Sequence, residues 1–441
     1  MRFLGIGETC DLGRVYQQLG QAGHEVRVYI DDPQAHDIYG GMLHRVHDWE
    51  PELGWIREAG PEGIILFESA IRGELQDELR QAGFQVIGGS AYGDRLENER
   101  EFGQETLREL GLQIVQSHRF TNFSSAIDFI QQAPGRYVFK LNDANSQRTK
   151  NYIGELDSGS DMMAFLQLQI AQWRENWLPD FVLMEFVEGV EVGVGAYFNG
   201  QDFLEPVLLD FEHKRFFPGE MGELTGEMGT VVSYRGGERI FELSLGRMRE
   251  RLGEGGYCGY INLNLIANDK GLWPLEFTSR FGYPGTIISG MLHEEAWETM
   301  FTRLLQRDSL TFATRDGFAT GVVLTVPTFP YAQGYEEIGK GTPIFLRDSM
   351  TTEDQQHLHW AEVALHEGQL VTSGMTGCVG VATGLGATIA QASCNAYDVA
   401  RKVVVPNLRY RNDIGARVMN GGWDSLARMG YLYSLARMGY L

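Results

Sequence analysis

The stretch PLEFTSRFGYPG, residues 274–285, combines a strand pattern with a carboxylate, a basic side chain and a tight turn. Glu276 stands between two apolar neighbours, so its side chain points away from theirs along the strand. On the preceding strand, Asn264 is expected to lie across from it. Carboxylate and amide oxygens suit Mg²⁺, and Arg280 could clamp a phosphate through two hydrogen bonds. A polar-faced sheet with a surface arginine is the alternative interpretation.

The stretch FVLMEFVEGVEVGVGAYFNG, residues 181–200, is typical of two strands joined in a hairpin by an acidic turn at Glu188-Gly189. A nucleotide base needs a backbone segment that offers a donor and an acceptor at one edge, and ribose hydroxyls need a nearby carboxylate. Residues 185–187 could supply the backbone, and Glu188 or Glu191 could supply the carboxylate. An ordinary solvated acidic hairpin would show the same pattern.

The stretch EHKRFFPGEMGELTGEMGT, residues 212–230, places a basic triplet before a glycine-rich loop. The triplet is His213, Lys214 and Arg215, and the loop covers residues 218–229. This order favours an anion-binding lid. A charge run is also commonly just a solvated surface, which is the alternative here.

A lysine at the end of a further strand pattern is a candidate phosphate ligand. Lys140 lies in the predicted strand 137–141, and the polar segment after it carries Arg148 and Lys150. These side chains could fold over a triphosphate. A plain surface loop has the same composition.

The amino-acid composition limits the kinds of molecule that the protein is expected to bind. The 441 residues carry a formal net charge of −22, which disfavours nucleic acid and anionic membranes as partners. The sequence contains no run of about 18 apolar residues, so no membrane span is expected. The four cysteines form no C-x-x-C pair, which argues against a zinc site or a disulfide framework. We therefore expect a soluble, cytoplasmic protein. Independently of composition, we also expect a monomer or homodimer that acts on small molecules.

Strand and helix patterns alternate near the N-terminus, which indicates parallel βαβ units. Strands are predicted over 2–6, 25–30, 63–67 and 84–87, with helices over 15–22 and 73–82. Further along, helices are predicted over 96–110, 239–252, 294–305 and 387–404. A second hairpin is predicted for 260–267 and 272–277. From residue 321 onward the pattern is mostly β, with strands over 322–326, 369–372 and 379–382.

These patterns predict an α/β (α+β) protein of four parts. They are an N-terminal βαβ domain (1–92), a central domain (93–312), a C-terminal mainly-β domain (313–418) and a tail (419–441). In the tail, SLARMGYL at 425–432 recurs letter for letter at 434–441. A repeat this short cannot be a solenoid unit, and we expect it to have no structural role.

Taken together and in this order, the quoted segments resemble the phosphoribosylamine–glycine ligase family of the ATP-grasp superfamily. That family has an acidic hairpin, a His-Lys-Arg triplet, a T-G-G-M-G loop and an L-E-F-N-x-R-F-G-D-P-E strand-turn. The likeness continues through HEGQLVTSGMTGCVGVATGLGATIAQASCNAY (366–397) and LRYRNDIGAR (408–417). The N-terminal region is less similar.

The resemblance implies an ATP- and Mg²⁺-dependent carboxylate–amine ligase of the purine pathway with an ATP-grasp fold. In such a ligase ATP phosphorylates a carboxylate, and an amine attacks the acyl phosphate, so catalysis is mainly positioning and charge neutralisation. The implied ATP-binding residues are Arg100, Lys140, Arg148, Glu185, Val187 and Glu191. The implied metal ligands are Glu276, Asn264 and Thr278, and the implied catalytic residues are Arg280, Lys214 and Arg215. The implied substrate-binding residues are His213, Thr225, Gly226 and Gly229.

Several departures from the family pattern leave the substrates open. Residues 7–11 (Gly-Glu-Thr-Cys-Asp) replace Gly-Gly-Arg-Glu-His, and residues 143–149 replace a glycine-rich phosphate loop. Thr278 replaces a metal-binding Asn, and Tyr283 and Gly285 replace two acidic residues. Three hypotheses follow: a ligase for glycine and phosphoribosylamine, a ligase of the same fold for another amine or acid, and a nucleotide-binding protein that has lost catalysis.

Overall fold

A five-stranded parallel sheet forms the N-terminal part of the computed structural model, which describes residues 1–141, 151–172 and 180–433. Its strands are β1 (Arg2–Gly7), β2 (Glu25–Ile30), β3 (Arg45–Val46), β4 (Gly63–Phe67) and β5 (Gln85–Ile87). They lie in the order β3-β2-β1-β4-β5. Helices α1 (Gly13–Gln21), α2 (Glu52–Glu58) and α3 (Gly73–Gln81) lie between them in sequence. All five residues of β4 are buried, as expected for a parallel sheet covered on both faces, and the predicted βαβ arrangement is confirmed.

A four-stranded antiparallel sheet follows. Its strands are β6 (Ser117–Phe120), β7 (Tyr137–Leu141), β8 (Tyr152–Ile153) and β9 (Phe181–Glu185), in the order β6-β9-β7-β8. Helices α4 (Ala91–Asn98) and α5 (Arg100–Glu109) precede this sheet, and α6 (Phe123–Gln132) and α7 (Ser160–Gln172) lie within its sequence. A core that includes Ile130, Phe139, Leu166 and Phe181 joins α6 and α7 to the sheet.

The largest sheet is antiparallel and has eight strands. The remaining strands are β10 (Val190–Phe198), β11 (Leu208–Glu212), β12 (Arg215–Phe217), β13 (Met221–Leu224), β14 (Gly229–Ser233), β15 (Gly259–Asn268), β16 (Gly271–Thr278), β17 (Phe318–Thr325), β18 (Phe345–Leu346), β19 (Leu358–Trp360), β20 (Val363–His366), β21 (Gln369–Thr372), β22 (Cys378–Gly386) and β23 (Val403–Val404). Eight of them form the sheet β16-β15-β10-β11-β14-β17-β22-β19, and the others form the pairs β12-β13, β18-β23 and β20-β21.

The remaining helices surround this sheet or connect its strands. They are α8 (Glu238–Leu243), α9 (Arg249–Glu254), α10 (Gly285–Gly290), α11 (Trp297–Gln306), α12 (Tyr335–Ile338), α13 (Thr352–Gln356), α14 (Ile389–Ala400) and α15 (Trp423–Arg428). Because β14 pairs with β17, the eight-stranded sheet is continuous across residue 313. The division into four domains stays a prediction.

Side-chain alternation gives the eight-stranded sheet one apolar face. The opposite face is polar near β16 and apolar further along, where Tyr197, Leu208 and Val232 join a second core. The apolar face contributes Val192, Val194, Leu209, Ile261 and Leu263 to the main core. The register places the residues of the other face opposite one another, so that Asn264 faces both Glu276 and Gly193, and Gly193 faces Asp210. The pairing of Asn264 with Glu276 confirms the prediction made from sequence. The polar part of this opposite face forms the site.

The hairpin predicted for residues 181–200 is wrong. Strand β9 pairs with β6 and β7 in the four-stranded sheet, whereas β10 pairs with β11 and β15 in the eight-stranded sheet. The two strands are close in sequence, and a short acidic connection between alternating strands is the same signal for a hairpin and for a crossover between sheets. Residues 186–189 therefore link the two antiparallel sheets.

Three predicted segments differ from the structure: two predicted helices are broken, and one predicted loop contains a strand. The helix predicted over 96–110 is two helices, because Glu99 leaves helical geometry at φ −99° and ψ 84°. The helix predicted over 239–252 breaks at Ser244, whose hydroxyl donates to the Ile240 carbonyl and competes with the helical pattern. The loop predicted over 218–229 contains β13, which pairs with β12.

The first copy of the tail repeat is part of the core, contrary to the expectation from sequence. Leu426 and Leu432 are buried in the main core, and Trp423 packs against Phe211 and Phe318. The second copy lies outside the described residues. Within the described part of the chain, no helix has the length and apolar character needed to cross a bilayer.

A buried histidine makes the stability of this fold sensitive to acid. His293 lies within 2.7 Å of the Tyr234 hydroxyl, among aromatic rings, and burial lowers its pKa to about 3. The unfolded chain binds a proton near pH 6.5, so the stability that neutral His293 contributes above that pH is lost as the pH falls towards 3.

Between pH 7 and pH 5, the wild type should lose about 2 kcal/mol of its free energy of unfolding through His293. A His293→Gln variant should not show this loss. Urea denaturation at both pH values measures the difference. The exposed His366→Gln is the matched control. Parallel pH dependence in the wild type and His293→Gln would contradict the assignment.

Candidate active site

A cavity of about 1000 Å³ lies between the four-stranded and eight-stranded sheets. Its walls come from β7 and β9, the connection at 185–189, the segment 96–104 of α4 and α5, and the polar face of the large sheet. This volume is at the upper end of the range for single-ligand pockets, so it has room for more than one small molecule.

Three carboxylates surround one lysine in the cavity wall. Lys214 Nζ lies 3.0 Å from Glu191 Oε1, 3.2 Å from Glu212 Oε2 and 3.1 Å from Glu276 Oε1. Burial alone would lower the pKa of Lys214, but the three carboxylates outweigh it and hold the pKa well above its usual value. We call Glu191, Glu212 and Glu276 the carboxylate ring. It concentrates negative charge around one fixed cation.

Two further cations border the ring. Lys140 Nζ lies 3.7 Å from Glu276 Oε2, and burial, followed by the charge of Arg100, lowers the Lys140 pKa to about 8. Burial also lowers the pKa of Arg100. Both side chains line the cavity. A phosphate group placed here would supply the anionic partner that such desolvated cations favour.

Arg280 is held in the cavity wall by a glutamate that the sequence analysis missed. Its Nε donates to Glu97 Oε1 at 3.0 Å, and the Ser279 backbone N–H donates to the other oxygen of Glu97 at 2.7 Å. Glu97, with smaller contributions from Asp11 and Glu8, raises the pKa of Arg280 against the effect of burial. Glu97 therefore fixes where this guanidinium lies.

Backbone hydrogen bonds and one ring contact hold the connection between the two sheets in place. The Glu185 and Phe186 backbone N–H groups donate to the carbonyls of Gln116 and Arg136 at 2.9 and 3.0 Å. The Arg136 guanidinium also stacks 3.6 Å from the centre of the Phe186 ring. Across residues 1–141, 151–172 and 180–433, no hydrogen-bond partner is found for the Val187 N–H. This edge therefore has a backbone donor available for a nucleotide base.

The residues expected to hold Mg²⁺ come together on β15 and β16. Glu276 and Asn264 lie opposite each other in the sheet. Two residues further along each strand, Thr278 lies opposite Asn262. The Asn264 amide nitrogen donates to Glu212 Oε2 at 2.8 Å, which leaves its carbonyl oxygen for another contact. Among the described residues, no three His, Cys, Asp or Glu side chains are arranged to hold a metal on their own. Two hard oxygens completed by phosphate oxygens fit Mg²⁺, which commonly binds in this way.

Most of the implied site residues line this one cavity. Those that do are Arg100, Lys140, Glu185, Val187, Glu191, Lys214, Arg215, Thr225, Gly226, Asn264, Glu276, Thr278 and Arg280. Thr225 is tied to the ring lysine, because its N–H and hydroxyl both donate to the Lys214 carbonyl. Arg148 lies outside the described residues.

Two implied substrate-binding residues lie elsewhere. His213 is fully buried, its Nε2 accepts from the Gly415 N–H at 3.2 Å, and burial, followed by Arg417 and Arg411, lowers its pKa to about 3. A side chain at Gly229 would collide with the Gly321 carbonyl and Ile414. Both positions pack the large sheet against the segment around residue 415, so neither reaches the cavity.

The comparisons with known proteins agree with this geometry. Residues 98–286 match the phosphoribosylglycinamide synthetase ATP-grasp (A) domain, and residues 319–417 match the C domain of the same synthetase. The phosphoribosylamine–glycine ligase of Pseudomonas aeruginosa is 27% identical over 432 residues, which are 94% of each chain.

Solved structures share the fold. The crystal structure of phosphoribosylamine–glycine ligase from Thermotoga maritima has a TM-score of 0.71 at 24% identity and covers 94% of this chain and 100% of its own. An N5-carboxyaminoimidazole synthetase from Staphylococcus aureus, solved with ADP, has a TM-score of 0.56 at 13% identity over 90% of this chain and 97% of its own. The two domain matches, in order, and the full-length likeness show that this chain belongs to the phosphoribosylglycinamide synthetase family, and that it is an ATP-dependent ligase of the ATP-grasp fold that joins a carboxylate to an amine.

Proposed function

We propose that the protein joins glycine to phosphoribosylamine, the two compounds in the name of its curated relatives. In the first step the γ-phosphoryl group of ATP moves to the glycine carboxylate, and ADP leaves. In the second step the amine nitrogen attacks the acyl carbon. The new C–N bond forms as the C–O bond to phosphate breaks, the phosphate leaves with the electron pair, and the nitrogen loses a proton.

The observation that carries the proposal is the convergence of Lys140 and Lys214 on Glu276 in a cavity that Arg280 also lines. The reaction moves phosphoryl charge between oxygens, and fixed cations stabilise that charge without reorganising. The connection at 185–187 would hold the base, and Lys140 and Arg100 would hold the phosphates. Arg280, positioned by Glu97, would face the transferred group.

Mg²⁺ is part of the proposal. Glu276 and Asn264 would hold the ion, with Thr278 beside them. When bound, it would neutralise charge on the nucleotide phosphates. We also keep in the proposal the expectations of a cytoplasmic location and a monomeric or homodimeric state.

One observation favours a second candidate, a ligase of the same fold that uses another amine. The turn at residues 7–11 brings Asp11 and Glu8 close enough to Arg280 to raise its pKa. Carboxylates at this turn would repel a substrate phosphate. They favour an amine that carries no phosphate near this point.

Release of ADP with defined substrates tests the proposal. ADP should form only when ATP, Mg²⁺, glycine and phosphoribosylamine are all present, and the product should be the amide that joins glycine to the amine. ADP release with glycine and an unphosphorylated amine, but not with phosphoribosylamine, would select the second candidate. Nucleotide binding without turnover for any acid–amine pair would indicate a protein that has lost catalysis.

A further inference from the structure

Beyond the carboxylate ring, the same sheet face continues into a polar patch that the roles above leave unused. We call Asp210, Thr230, Asn262 and Thr286 the polar floor. All four line the cavity, although their exposed fractions are only 4%, 1%, 6% and 3%. Asp210 lies on β11 and Thr230 on its neighbour β14, whereas Asn262 lies on β15, with β10 between it and β11. Thr286 comes from α10.

The polar floor has hydrogen-bonding atoms that the protein does not satisfy. Asp210 Oδ2 accepts from the Asn262 amide at 2.6 Å. Over the described part of the chain, Asp210 Oδ1, Thr230 Oγ1 and Thr286 Oγ1 have no hydrogen-bond partner. Buried polar atoms without partners are uncommon and costly. Three of them in the wall of one cavity indicate a polar ligand.

Glycine makes room for the floor. Gly193 lies between Asp210 and Asn264 in the sheet, and a side chain there would collide with the Asp210 carboxylate. Two residues further along the same strand, a side chain at Gly195 would collide with the Tyr260 hydroxyl and the Asn262 amide. The backbone at neither position requires glycine, since neither has a positive φ. The two glycines therefore leave room for the Asp210 carboxylate and the Asn262 amide to lie flat against strand β10 in the cavity wall.

The charges near the floor select a cationic donor. Burial, followed by Glu212, raises the pKa of Asp210, and Glu191 adds to this effect. Lys214 opposes it, but its ammonium is shared among the three carboxylates of the ring. A carboxylate or phosphate placed here would raise the pKa of Asp210 further. An ammonium group would instead lower it and favour the ionised carboxylate, and the two hydroxyls would face the ammonium with their oxygens.

Resting on the function proposed above, we propose that the polar floor binds the ammonium group of the amino-acid substrate. The chemistry of the two nitrogens favours the amino acid over the amine substrate. The amine must be uncharged to attack the acyl carbon. The amino group of the activated amino acid must stay protonated, because its lone pair would otherwise compete as a nucleophile. A buried carboxylate stabilises that protonated form.

The test is the effect of Asp210→Asn on each substrate separately, measured by ADP release. We expect KM for glycine to rise at least about 30-fold, as for a lost charged hydrogen bond, while KM for ATP and for the amine changes less than about 2-fold. The exposed Asp398→Asn is the matched control. Thr230→Ala and Thr286→Ala, which keep Asp210, should each raise KM for glycine by about 3- to 10-fold, so the proposal remains testable if Asp210→Asn does not fold.

Glycolate carries a hydroxyl in place of the ammonium group. Comparing it with glycine distinguishes a lost ammonium contact from a general distortion of the binding site. Wild-type protein should bind glycine at least about 10-fold more tightly than glycolate, and Asp210→Asn should abolish the preference. An unchanged glycine KM, an equal rise in the ATP KM, or a rise confined to the amine would overturn the proposal.

If the wild type releases no ADP with any amine, the proposed function fails, and the binding site is tested on its own. Glycine is then titrated by calorimetry into protein saturated with a non-hydrolysable ATP analogue and Mg²⁺. Binding that Asp210→Asn abolishes supports the ammonium site. No binding to the wild type, or equal binding to the variant, overturns it.

Discussion

Replacing Glu276 with glutamine is expected to lower kcat at least about 1000-fold, which corresponds to roughly 4 kcal/mol of lost transition-state stabilisation. Glu276 contacts Lys214 at 3.1 Å and Lys140 at 3.7 Å, and it pairs with Asn264 across the sheet. The amide has nearly the same shape but cannot balance two cations or hold Mg²⁺ as a carboxylate does. Steady-state ADP release as a function of Mg²⁺ concentration measures the effect.

The matched control for this prediction is Glu254→Gln, at the exposed end of α9. Its kcat should equal that of the wild type. If Glu276→Gln kept more than about a tenth of the wild-type kcat, the metal and phosphate site would have to lie elsewhere in the cavity.

Replacing Lys214 with methionine is expected to damage both turnover and stability. The substitution leaves Glu191, Glu212 and Glu276 around an apolar side chain, without the cation that each contacts at 3.0–3.2 Å. Removing one partner from this partly buried ionic cluster costs about 2 kcal/mol, between the values for exposed and for buried pairs, so the urea midpoint at pH 7 should fall. Turnover should fall at least about 100-fold, because the phosphate-binding wall loses its central cation.

The pH dependence of the Lys214→Met variant distinguishes charge repulsion from loss of packing. Without the ammonium group, the three carboxylates repel one another and each binds a proton more readily. Stability lost at pH 7 should therefore be partly regained at pH 5, whereas a packing defect would be independent of pH. The exposed Lys270→Met is the control. A stable variant with wild-type turnover would show that the lysine is not central to the site.

Much of the site was predictable from local pattern. The alternation around Glu276 and Asn264 placed both on one face, and the register confirms that they are partners. The same alternation runs through Asp210, Glu212 and Lys214 on the segment that begins with β11. This alternation is the sequence signal that places Asp210 and Glu212 on the cavity side with Lys214.

Other parts of the site were not predictable from local pattern. Glu97 and Arg280 lie far apart in sequence, and nothing near either residue marks the other as its partner. His213 shares its segment with Lys214, but its opposite orientation on the chain sends it into the core. The connection at 186–189 has the signal of a hairpin turn, although its flanking strands belong to different sheets.

The sequence by itself determined the strands, the face that each polar side chain occupies, and the motifs that identify the family, because these depend on neighbours a few residues away. Only the tertiary structure decided that Glu191, Glu212 and Glu276 converge on Lys214, that Glu97 orients Arg280, and that the Asp210 carboxylate lies over Gly193 in the cavity wall. Those contacts depend on the order of strands in the sheets and on how the sheets enclose the cavity. Both arise from packing of the whole chain, which local sequence patterns do not encode.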